Sequence, residues 1–213
     1  MSQVIVFPYS EKEEKLNVIS HAFGFLLALV GSFLLFRKAL ALESHLHFWA
    51  YFIYAASWVL LYAASTLYHN EKKKERRVRL NILDHSAIYL AIAGTYIPVM
   101  LIGIGGKWGW SIAISVGAIA LIGVTFKLFF TGRFRLASTI SYVLMGSLIF
   151  IAAKPLIESV SHQALLYILI GNLLFVIGAV FYSIRKIPFG HAIFHVFVLA
   201  ASIFHFLAIY LYI

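Results

Sequence analysis

His191 and His195 stand four residues apart in the stretch HAIFH. On an α-helix that spacing places both imidazoles on one face, where they can share a metal ion. Ser65 and His69 repeat the spacing in STLYH, and Asp84, the only aspartate of the chain, directly precedes His85. Three neutral imidazoles and one solvent molecule make the open tetrahedral coordination of a catalytic zinc site. A structural site ordinarily closes its fourth position with another protein ligand, and with no cysteine in the sequence no thiolate is available for it. Zinc lowers the pKa of a bound water to about 7, and a carboxylate or hydroxyl beside it would hold that water. Asp84 and Ser65 are the candidates for this task. Spacing alone leaves the third imidazole open among His69, His21 and His85.

The elements that position these residues are membrane spans. Of 213 residues, 62% are apolar and only 12% charged, against about 25% charged in an ordinary soluble domain. The absence of cysteine also excludes disulfides and thiol nucleophiles. A net charge of +9 would suit a nucleic-acid partner, but six of the seventeen basic residues fall between Lys72 and Arg79. They are better read as a loop flanking the membrane, with anionic lipid as its natural contact. No nucleic-acid partner is expected.

A hydrocarbon core about 30 Å thick needs roughly 20 apolar residues in helix. Seven stretches qualify, at 17–36, 47–68, 82–104, 108–130, 136–153, 163–184 and 190–212, the fifth being the shortest. Unbroken runs of this length are not the alternating segments of a β-barrel. The expected fold is therefore all-α: a short N-terminal segment, 1–16, without the basic region and cleavage site of a secretory signal, followed by a seven-helix transmembrane domain, 17–213. Pro98 should kink the third span, Asn172 should donate a hydrogen bond between helices, and Trp108 and Trp110 should anchor at the outer interface.

Orientation follows from basic residues. Thirteen of the seventeen lie on one side, among them Lys12, Lys15, the 72–79 cluster, Lys127, Arg133, Arg135, Arg185 and Lys186; Arg37, Lys38, Lys107 and Lys154 lie on the other. This bias places the N-terminus in the cytoplasm and the C-terminus outside, as a multi-pass protein of the cell membrane. His21, His69, His85, His191 and His195 then share the cytoplasmic end with Asp84, while His45, His47 and His162 lie in or beside outer loops. Ionisable groups at membrane depth are costly and usually functional. Asp84, one turn into its span, also suits a helix N-terminal charge.

Four blocks now carry a family resemblance: EKLNVISH (Glu14 to His21), STLYH (Ser65 to His69), LDHSAIYLAIAGTYIP (Leu83 to Pro98) and HAIFHVFVLAASIFHF (His191 to Phe206). In this order they span nearly the whole chain. The sequence resembles the haemolysin III branch of the progestin and adipoQ receptor family, within a wider group of seven-span proteins regarded as hydrolases, alkaline ceramidases among them. The resemblance implies a zinc ion on His69, His191 and His195, with Asp84 and Ser65 near its water. It implies no ligand role for His85, and His21 matches a recurrent family position. His205, ten residues beyond His195, is about 15 Å further along the helix and out of reach of that metal. The chain lacks the long N-terminal region of the animal receptors, which counts against hormone reception.

Three functions compete. The first is a zinc-dependent hydrolase cleaving a lipid amide or ester just below the headgroup, with Asp84 accepting or relaying the proton of a metal-activated water. The second is a receptor or sensor with a structural zinc. The third is a membrane-active haemolysin; a secreted pore-former must first be soluble, and this composition opposes that.

Overall fold

A computed structural model of the chain describes residues 9–131, 133–184 and 186–213. Residues 1–8 and Arg185, one of the basic residues in the charge asymmetry, lie outside the described residues. The described residues form helices and no strand: α1 (Glu11–Ala41), α2 (His45–Asn70), α3 (Lys74–Pro98), α4 (Gly106–Phe130), α5 (Arg135–Ser147), α6 (Ala153–Ser159), α7 (His162–Ser183) and α8 (Gly190–Tyr212). Seven spans result, because α5 and α6 join into one run, Arg135–Ser159, that is long and apolar enough to cross a membrane.

Three boundaries differ from the hydropathy reading. The first helix begins at Glu11, not near 17, because Ser10 caps it: Ser10 Oγ accepts from the Glu13 N–H at 3.2 Å, and Glu11, Glu13 and Glu14 suit the positive end of the helix. The basic cluster is not a 72–79 loop. Its residues from Lys74 onward occupy the first turns of α3, since hydropathy marks where apolar residues begin, not where the helix does. The fifth span does not stop near 153. It continues through a five-residue 3₁₀ segment, Leu148–Ala152, into α6, and Pro155 is tolerated because it falls in the first turn of that last piece.

Pro98 is the last residue of α3, but the span runs on past it to Ile104. The helix widens immediately after the proline into a π-helical turn, Val99–Ile104, one of whose bonds runs from Gly105 N–H to Met100 O at 2.8 Å.

Polarity is arranged inside out. On α1, Glu14, Asn17, His21, Gly24 and Gly31 face inward, while Ile19, Phe23, Leu26, Val30 and Phe33 lie exposed. Such a helix is stable where the solvent is hydrocarbon and the polar stripe turns to the bundle interior. Gly24 permits close approach: a Cβ there would lie 2.5 Å from the ring of Tyr62. Helix α1 packs between α2 and α8, α3 packs against α2, and α7 packs against α8. Together with α5 they surround an interior cavity of about 490 Å³.

Candidate metal centre and its cavity

Ring nitrogens of His69, His191 and His195, one from each, all lie within 4.8 Å of one another, and all three residues are buried. His69 ends α2. His191 and His195 stand on one face of α8, so two helices deliver three imidazoles to one point. His21 stacks on His195 with ring centroids 3.6 Å apart, but is not one of the three.

Each imidazole is held by its Nδ1. His69 Nδ1–H donates to Glu14 Oε2 at 2.7 Å, and Glu14 is itself paired with Arg77. His191 Nδ1 meets the Tyr9 hydroxyl at 3.0 Å. The Ser20 hydroxyl already donates to Asn17 O, so it can only accept from His195 Nδ1–H, at a long 3.4 Å. A partner on Nδ1 fixes ring orientation and leaves Nε2 for a metal.

The donor set fits a cation. His69 Nε2 and His191 Nε2 face each other at 3.1 Å. Because His69 carries its proton on Nδ1, its Nε2 is a lone pair. Without a metal, His191 must supply the intervening proton from Nε2 and accept at Nδ1 from Tyr9. With a metal, His191 donates to Tyr9 from Nδ1 and both Nε2 atoms become ligands. Tyr9 can do either, since burial pushes its phenol well above the usual range, with the phenols of Tyr182 and Tyr68 adding to the effect, and keeps it neutral.

Asp84 and Ser65 line the cavity together with His191 and His195. Ser65 is buried beside Asp84, and Asp84 is buried within electrostatic reach of His69. His85 points elsewhere and donates from Nδ1 to Asn81 O at 2.9 Å. His205 is also separate. Its Nδ1–H donates to Ala201 O at 2.9 Å, so its Nε2 is an acceptor. The Asn172 amide in contact with it at 3.2 Å must therefore present its nitrogen, the donor role expected of Asn172.

Sequence reasoning missed the supports on α1 and before it: Tyr9, Glu14, Asn17 and Ser20. Glu14, Asn17 and His21 follow helical spacing in an otherwise apolar helix, a signal that could have been read. It also missed Lys127 and Arg135, which line the cavity and had been counted only as charges for topology.

Toward α7 the cavity wall is mostly apolar. Phe150, Leu169, Leu173 and Val176 both line it and lie exposed on the outer surface. The seam between α5 and α7 therefore connects the interior with the surface that faces lipid.

A family profile described as Haemolysin-III related matches residues 9–206. The chain belongs to the haemolysin III-related family. Hemolysin-3 of Bacillus cereus is 40% identical over 202 residues, covering 95% of this chain and 92% of that protein. The Hemolysin-3 homolog of Bacillus subtilis (strain 168) is 40% identical over 204 residues, 96% of each chain. The human monocyte to macrophage differentiation factor, a relative within the progestin and adipoQ receptor family, is 28% identical over 206 residues, 94% of this chain and 84% of that protein. Family membership and seven apolar helices together make this haemolysin III protein a multi-pass membrane protein.

Proposed function

We propose that this haemolysin III protein is a metal-dependent hydrolase of the membrane that cleaves an amide or ester bond of a lipid, and that its metal is zinc. The observation that carries the reading is the convergence of three buried imidazoles, each oriented through Nδ1, at one end of a cavity that opens toward lipid. A divalent metal held by His69, His191 and His195 supplies Lewis acidity to polarise a carbonyl and to acidify water. Asp84 accepts the proton of the attacking water and returns it to the leaving nitrogen or oxygen. Ser65, buried beside Asp84, holds a reacting oxygen there. Glu14 and Tyr9 keep His69 and His191 in register, and the apolar cavity binds the acyl chain and excludes bulk water. With the N-terminus in the cytoplasm, this chemistry lies at the cytoplasmic headgroup level, where scissile bonds of lipids lie.

The test compares wild type, Asp84→Asn and His191→Ala for zinc content, thermal stability and lipid turnover. Asp84→Asn keeps an oxygen acceptor but loses charge and basicity, so zinc should remain while turnover falls at least about 100-fold. Normal turnover with normal zinc in that variant would sink the hydrolase reading in favour of a structural metal in a receptor-like protein. The name of the Bacillus cereus relative favours a second reading, a membrane-active haemolysin. Release of dye from vesicles by the purified protein, undiminished in His191→Ala, is the result that would support it.

A further inference from the structure

Lys127 lies three residues from the end of α4, where a lysine ordinarily extends its ammonium past the helix end into water. Here the side chain turns inward, and the residue is only 2% exposed. Its Nζ donates to Ser138 Oγ on α5 at 2.5 Å and stands 5.7 Å from the centre of the Tyr142 ring. Ser138 is held in turn by donating to Phe134 O at 2.8 Å. The Tyr142 hydroxyl is committed to His85 O at 2.9 Å, so this phenol offers the ammonium its face and not its oxygen.

The ammonium is under-satisfied in this corner. An ammonium has three N–H donors, and among the described residues Lys127 hydrogen-bonds to Ser138 alone. No carboxylate of the described residues lies within salt-bridge distance of it; the ion pairs join Glu14 to His69 and Arg77, and Asp84 loosely to His85. The carboxylate in electrostatic reach of Lys127 is Asp84, which lines the same cavity. A buried ammonium that keeps N–H donors unmatched, with its carboxylate beyond contact, is costly, which marks a place that receives an anion.

We propose that Lys127, supported by Ser138 and with Thr139 and Arg135 alongside in the cavity wall, binds the oxyanion headgroup of a membrane amphiphile whose chain lies in the apolar part of the same cavity. A carboxylate or a phosphate ester offers this chemistry. The corner is distinct from the three histidines and selects for charge, whereas the apolar wall selects for chain. The proposal rests on the reading that the cavity takes a lipid; it does not depend on turnover.

The experiment measures binding of dodecyl phosphate, dodecanoate and dodecanol to the purified full chain in neutral detergent, by titration calorimetry. At least one anionic probe should bind about tenfold more tightly than the alcohol, the scale of one charge-assisted hydrogen bond. Preference for the phosphate identifies a phospholipid-type headgroup, and preference for the carboxylate identifies a fatty acid. Lys127→Met should reduce the anions to the level of the alcohol, and Lys127→Arg should keep the preference. Equal binding of all three probes by wild type overturns the proposal while leaving the lipid cavity standing, and no saturable binding of any probe overturns both. Undiminished anion preference in Lys127→Met assigns the charge selection to another group and also overturns it. If Lys127→Met does not fold, the ranking of the three probes on wild type still decides.

Discussion

Glu14 near the start of α1 accepts a 2.7 Å hydrogen bond from Nδ1 of His69 at the end of α2, fifty-five residues away. That carboxylate, anchored on its other oxygen by Arg77, turns His69 so that Nε2 faces the two histidines of α8. Glu14→Gln keeps the shape but cannot polarise the imidazole, and losses of this kind cost about 10–100-fold in metal affinity or activity. Competition with a chelator on purified protein should show weakened zinc retention with an unchanged helical spectrum. Retention equal to wild type would make the contact a packing detail.

Alanine at His69, His191 or His195 should each strip the metal, because two imidazoles hold zinc poorly. His205→Ala should leave metal content unchanged, since its ring is occupied by Ala201 O and Asn172. His21→Ala removes the ring stacked on His195 and should weaken binding without abolishing it. Elemental analysis of the five variants reads this directly; a metal-free His21→Ala beside a loaded His69→Ala would reassign the site.

Orientation can be checked with reporters at the two termini. The charge bias and the seven spans predict the N-terminus inside and the C-terminus outside. A C-terminal reporter active only in the cytoplasm would reverse the assignment and move the histidine site to the opposite face of the membrane.

Gly24→Ala should destabilise the bundle. The added methyl would meet the Tyr62 ring at 2.5 Å, and Tyr62 cannot swing away freely because its hydroxyl is bonded to Ser202 at 2.6 Å. Overpacking of this kind costs about 1–3 kcal/mol. Thermal unfolding in detergent should show a lower Tm with metal content retained; an unchanged Tm would mean that Tyr62 and α2 yield without cost.

The sequence alone determined the class of molecule and most of the chemistry. Seven apolar runs can only be spans, because an unpaired backbone in hydrocarbon must fold into helix, and the i, i+4 pair His191 and His195 shares a face by helical geometry. What helical periodicity cannot carry is which faces of different helices meet. The third imidazole stayed open by spacing until α2 and α8 were seen to bring His69 beside His191, and no spacing placed the Glu14 carboxylate against His69. Hydropathy also misplaced the ends of the spans, since a helix end is set by local hydrogen bonding, as at Ser10, and not by apolarity. Lys127 was legible only as one more positive charge. Whether such a charge turns out to water or into a cavity is decided by the neighbours that the fold supplies, here Ser138 and Tyr142 on α5.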